Sequence, residues 1–230
     1  MKITSFITEE RLRSADAVFR FNGEHTICKE SITQHSWWVT MFTTIILDSI
    51  FNREADKQKH FIMAFKLSTL NEAIMHDTVD EIHTGDILHQ FKHNVASGDQ
   101  VVEAIESYVS KSKEEMLHNM SCSEDESEEA ERFFLGQIDT YGYVGNIVKD
   151  QLLRSSIVKI ADWLSCMKYC ANEMSLGNLS FIKIMNLSKV KLLKHIEEKF
   201  QPQYLDFCMR NGLFYNSNFI KQISSNIKSI

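Results

Sequence analysis

The sequence predicts an all-α protein, and three observations carry that expectation. One proline and eight glycines in 230 residues leave little turn chemistry for a sheet-rich fold. Apolar residues recur at helical spacing in one segment after another, and strict apolar–polar alternation is hard to find. A hydrophobic share of 43% supplies an ordinary globular core. The expected organisation is a single domain over residues 1–230, with 178–230 as a helical extension.

The elements follow in order. Phe6 to Phe21 opens on Thr8 as an N-cap and repeats apolar residues at Leu12, Ala15 and Phe19, so a helix is expected there. Ser31 followed by Gln34 matches a capping box, which predicts a helix starting just before His35. His35, Val39, Phe42 and Ile46 then form one stripe, with His35 on the buried side. A third helix, about Lys59 to Met75, places Ile62, Phe65, Ala73 and His76 on a shared face. Thr84-Gly-Asp86 reads as a turn before a short helix through His93, a break at Ser97-Gly98 and a helix from Gln100 to His118. The acidic run Ser121 to Glu131 suits a solvated loop entering a helix at about Glu124. After Tyr141-Gly-Tyr-Val-Gly145 a long helix is expected over about Asn146 to Met174. Two or three more helices follow, with Leu192, Leu193 and Ile196 in the core.

Composition narrows the function. A net charge of −6 argues against binding duplex nucleic acid. The apolar-leaning stretch Trp37 to Phe51 is shorter than the ~20 residues that span a bilayer, so no membrane association is expected. Met1 to Glu10 lacks the apolar core of a signal peptide, and a cytoplasmic location is expected. The five cysteines include no CxxC pair and read as reduced thiols, small core residues in the case of Cys166 and Cys170.

The chemistry gathers at His76-Asp77, an imidazole and a carboxylate side by side after an apolar run. Such mixed N/O donors suit borderline divalent metals. His35 and Asp162 are candidates to complete the set, as in a site built between the helices of a bundle. A lone His35 on an apolar face is more often a core residue than a ligand. Asp162, among Ile157-Val-Lys-Ile-Ala-Asp-Trp-Leu164, either faces inward at a desolvation cost or lies exposed beside Lys159. Both readings stand open from the residues alone. His89 and His93 lie one turn apart but lack a carboxylate to complete a second site. His25 and His83 are weaker candidates for substrate contact, and Trp37 and Trp38 read as packing residues.

Taken in order, five motifs resemble the HD-domain metal phosphohydrolase superfamily. They are Arg20-Phe21, Lys29-Glu-Ser-Ile-Thr-Gln-His-Ser36, His76-Asp77, Thr84-Gly-Asp-Ile87 and Val158-Lys-Ile-Ala-Asp162. The step from Arg20 to His35 is similar to that of the bacterial 5′-deoxyribonucleotidases and related phage dNTP phosphohydrolases. The resemblance covers about residues 15–95 and 145–175. The resemblance implies an HD-domain helical bundle with additional C-terminal helices. It also implies one divalent transition metal (Co, Mn or Zn ahead of Mg) held by His35, His76, Asp77 and Asp162. Such a metal lowers the pKa of bound water and polarises a phosphoryl group.

By the same resemblance Arg20 contacts the substrate phosphate, Phe21 lies near the base and Asp86 near the sugar. An acid assists the leaving oxygen, and here the sequence departs from the pattern. Counted from His76 that acid is Asp80; counted back from Thr84-Gly-Asp86 it is Glu81, whose longer side chain favours it. Leu88 and Gln90 replace the prolines usual after Thr-Gly-Asp-Ile. The implied activity is metal-dependent hydrolysis of a dNMP to deoxynucleoside and phosphate through a metal-activated water. The alternatives are dNTP triphosphohydrolysis at the same site and a non-catalytic nucleotide-binding HD module. The expected partners are a deoxynucleotide substrate and a second copy of the chain, as a homodimer.

Overall fold

The computed structural model describes residues 14–21, 24–51, 59–77 and 147–229. The elements are a 3-10 turn (Ser14–Ala17), α1 (Ile32–Phe51), α2 (Lys59–Met75), α3 (Ile147–Ser175), α4 (Phe181–His195), a π-helical turn (Ile196–Phe200), α5 (Gln201–Asn211) and α6 (Ser217–Ser229). No strand occurs among the described residues, as an all-α reading requires; Phe19 and Ser31 form an isolated antiparallel bridge. The chain divides into two compact units, Met1–Ser36 with Ile74–Leu135 and Trp37–Ala73 with Gly136–Ile230.

In the first unit the expected Phe6–Phe21 helix needs correction at its end, its beginning lying outside the described residues. Helical geometry stops at Ala17. From there the chain pairs with the segment before α1: the Arg20 N–H donates to the Glu30 carbonyl at 2.9 Å, and the Ile32 N–H to the Val18 carbonyl at 3.0 Å. Backbone groups satisfied across this pairing are not available for a helical ladder. Phe21 then takes φ 59, the left-handed region that a bulky side chain adopts only under constraint. The capping box forms as the spacing predicts. The Ser31 N–H donates to Gln34 Oε1 at 3.0 Å, and the Gln34 N–H to Ser31 Oγ at 3.2 Å.

The second unit holds the larger core. Leu153, Ile157, Ile160, Ala161 and Cys170 are buried along α3, and Phe181, Met185 and Leu192 along α4. Of the expected C-terminal core residues Leu192 and Ile196 are buried and Leu193 is half-buried. Tyr169 meets Phe181 edge-on at 5.6 Å between ring centres. The wide turn Ile196–Phe200 has a local cause. Pro202 cannot donate to the carbonyl four residues back, and its ring clashes there in a regular helix. The chain widens just ahead of it, with the Gln201 N–H reaching Ile196 O. α5 ends on Gly212 at φ 63, and the Leu213 N–H closes onto Cys208 O at 2.9 Å.

α5 is anchored by Phe207, whose ring lies 4.7 Å from Phe65, 5.8 Å from Phe61 and 6.1 Å from Phe51. The buried Tyr204 hydroxyl donates to the Ile50 carbonyl at 3.1 Å. Trp37, expected to pack, is instead 54% exposed. It shares the outer face of α1 with Met41 and Ile45, opposite His35, Val39 and Ile46. Trp38 does pack: the Lys168 ammonium sits 3.8 Å from its ring centre. No disulfide occurs among the described residues, and Cys170 and Cys208 are buried. No helix among the described residues is long and apolar enough to cross a membrane.

Candidate metal centre

α1 delivers His35 from its first turn, where the capped N-terminus fixes the backbone; the His35 N–H bonds to the Ser31 carbonyl at 3.0 Å. The imidazole is fully buried. α2 ends at Met75, and the turn that follows supplies His76 and Asp77. Three ligand atoms converge: His35 Nε2 and His76 Nε2 are 3.3 Å apart, and Asp77 Oδ2 is 3.3 Å from the first and 3.2 Å from the second.

These distances fit a shared cation. Ligand atoms held about 2.0–2.2 Å from one metal stand roughly 2.8–3.6 Å from each other between neighbouring positions of octahedral or tetrahedral geometry. Two imidazole nitrogens facing one another repel unless a proton or a cation lies between them. Burial alone pushes the Asp77 carboxyl up, but the imidazoles of His76 and His35 outweigh it and hold it well below the usual carboxylate range. An anionic oxygen and two imidazole nitrogens form a His/Asp cluster that could bind a divalent metal.

Asp162, in the second unit, resolves its two readings into a mixture. Its residue is 9% exposed, so it is not on the outer face of α3, yet Lys159 donates to its Oδ2 at 2.7 Å. The Lys159 ammonium also lies 5.3 Å from the Trp163 ring centre.

Arg20 sits behind His35. Its Nη1 donates to His35 Nδ1 at 2.6 Å, on the ring edge away from Asp77, and lies 3.5 Å from Glu30 Oε2. The guanidinium also stacks over Phe21, 5.2 Å from the ring centre. Glu30, 5% exposed, was given no role of its own by sequence reasoning. Its place inside the motif leading to His35 was the signal. His25 is exposed. Asp80, Glu81, His83, Asp86, His89 and His93 lie outside the described residues, as do the elements expected between Thr84 and Gly145.

A helical scaffold that seats a His and a His-Asp pair around one point is the arrangement that the resemblance to the HD-domain phosphohydrolases implies. The family model described as 5′-deoxynucleotidase YfbR-like matches residues 10–210, and the chain belongs to that family. The match is wider than the motif blocks, running through α3, α4 and most of α5. Among solved structures the chain is similar to the crystal structure of an HD-domain phosphohydrolase from Listeria innocua. That match has a TM-score of 0.59 at 16% identity and covers 100% of this chain and 99% of the other. No curated protein matched the sequence. The protein is thus a member of the 5′-deoxynucleotidase YfbR-like family whose described residues are helical, with a fold similar to that of an HD-domain phosphohydrolase.

Proposed function

We propose that this protein is a metal-dependent 5′-nucleotidase that hydrolyses deoxynucleoside monophosphates to deoxynucleoside and phosphate in the cytoplasm. The observation that carries the reading is the triangle of His35 Nε2, His76 Nε2 and Asp77 Oδ2 at 3.2–3.3 Å. Asp162 is the proposed fourth ligand, supported by its burial and its place in the motif order. Two imidazoles favour Co, Mn or Zn over Mg. When bound, such a metal supplies an acidified water and neutralises phosphoryl charge.

The remaining roles fall to side chains. Arg20 places its donor fork on the phosphate oxygens, which fixes the phosphorus and offsets its charge. Glu81, or Asp80 in its place, hands a proton to the departing 5′ oxygen. Phe21 lies against the base and Asp86 against the sugar. The exposed row Trp37, Met41 and Ile45 supports a homodimer.

The test is a matrix of the purified protein with Mn²⁺, Co²⁺, Zn²⁺ or Mg²⁺ against dNMPs and dNTPs, with products identified. Phosphate and deoxynucleoside from dNMPs are expected; triphosphate released from dNTPs would replace this reading with the sister activity. His76→Ala and Asp162→Ala should each abolish turnover. An Asp162 variant with wild-type rates refutes that ligand assignment.

A further inference from the structure

We propose that Lys159 is the positioning residue for Asp162: its ammonium holds one carboxylate oxygen and so fixes the rotation at which that carboxylate meets the metal. The inference rests on the proposed role of Asp162 as fourth ligand and adds the group that aims it.

An aspartate side chain turns about two torsions, and the outer one is broad, so a solvated carboxylate samples many orientations. A ligand oxygen has to stay within about 0.5 Å of its place. α3 supplies what restrains it. Residues three and four apart on a helix are neighbours, and Lys159 has Asp162 at the first spacing and Trp163 at the second. The Lys159 Nζ donates to Asp162 Oδ2 at 2.7 Å, the length of a charge-assisted hydrogen bond. The same ammonium lies 5.3 Å from the Trp163 ring centre. That ring is braced in turn: His195 meets it edge-on at 5.1 Å, and Ser156 Oγ stands 2.8 Å from His195 Nε2.

The pair has little to offer stability. The Lys159 side chain is 51% exposed, and ion pairs open to water contribute little. The Asp162 side chain is only 12% exposed, so the contact acts on a carboxylate already turned inward. Carboxylates that ligate metals are themselves hydrogen-bonded from outside, and losing such a partner costs about 10- to 100-fold in metal affinity or activity. An ammonium beside a dication also repels it. This one is half in water, where repulsion is screened, so orientation sets the sign. No movement of Lys159 is required, because the contact already present is the positioning contact.

The experiment uses the full chain, stripped with chelator and titrated with Co²⁺ against a chromophoric competitor. Lys159→Met is expected to bind Co²⁺ about 10- to 100-fold more weakly than wild type, while the metal-free protein melts as wild type does. Lys159→Arg keeps a cation and its donors and should restore most of the affinity. Wild-type or tighter binding in Lys159→Met overturns the proposal, as does a Lys159→Arg no better than Lys159→Met. Failure of Lys159→Met to fold, or a marked fall in the melting temperature of its metal-free form, makes Lys159 a structural residue and overturns it as well. Asp162→Asn separates the two layers. Co²⁺ bound there as tightly as by wild type removes the ligand reading and this inference with it. Weak binding there beside wild-type affinity in Lys159→Met removes this inference alone.

Discussion

The last turn of α2, four residues ahead of His76, is tied to α3 by an ion pair between a buried arginine and a partly exposed glutamate, and leaving that arginine without its partner should be costly. Arg154 is 2% exposed, and its Nε lies 3.6 Å from Glu72 Oε2. Ser155 Oγ donates to the other Glu72 oxygen. Burial pulls the Arg154 pKa down, and the carboxylates of Glu72 and Asp150 oppose that pull. Glu72→Gln removes the stronger of the two. Losing one partner of a fully buried pair costs about 3–5 kcal/mol; Glu72 is partly exposed and Asp150 remains beside the buried Arg154, so no more than the lower end, about 3 kcal/mol, is expected. At roughly 2–4 °C per kcal/mol for a chain of this size, the melting temperature should fall by about 6–12 °C. Glu72→Met combined with Arg154→Met should recover most of the loss, because apolar replacements of a buried pair are often neutral or better. Thermal and urea unfolding followed by circular dichroism measure both. A Glu72→Gln cost under about 1 kcal/mol, or no recovery in the double variant, refutes the reasoning.

Three further outcomes are expected. Arg20→Ala should lower kcat/KM by about 10- to 100-fold, mainly through KM, since a charge-assisted hydrogen bond contributes about 1.5–3 kcal/mol; steady-state kinetics at saturating metal read this out. Adding Co²⁺ at about 100 times its Kd should raise stability by about 2.7 kcal/mol, and His76→Ala should abolish the thermal shift. His195, hydrogen-bonded to Ser156 at 2.8 Å and edge-on to Trp163, has its pKa pushed down by burial and by Lys199 and Lys159. The unfolded chain therefore takes up that proton first. Stability from His195 is present above pH ~6.5 and drains as pH falls through the depressed folded value. In melting curves from pH 7.5 to 5.5, His195→Gln should lose less stability than wild type.

Features written in local spacing were legible in the sequence. Ser31 and Gln34 are three residues apart, and each reaches the other's backbone N–H without help from the fold. Helical periodicity likewise located α2 and, within a residue at each end, α3. The end of the supposed Phe6–Phe21 helix was misread because its fate is set at long range. Residues 18–20 exchange helical bonds for partners at 30–32, and no local pattern announces that pairing. Trp37 was misassigned because adjacent tryptophans on a helix point about 100° apart, and only one of them can follow the inner stripe. For the site, the motif order put His35 with His76-Asp77. It could not say which edge of the His35 ring Arg20 would meet, since that depends on side-chain torsions.

The fifteen-residue step between Arg20 and His35 has a structural reason. The pairing of 18–20 with 30–32 sets Arg20 beside Glu30, and the Ser31 cap starts α1 one residue later. His35 follows one helical turn on, its N–H bonded to the Ser31 carbonyl. The strained Phe21 turns the chain away immediately after Arg20, and the Phe21 carbonyl accepts from the Glu24 N–H at 2.9 Å. A shift of one residue in the pairing would send the Arg20 side chain to the opposite face, away from both Glu30 and the imidazole. What brings these groups together is therefore a register, and the arginine, the glutamate and the histidine are its three readouts.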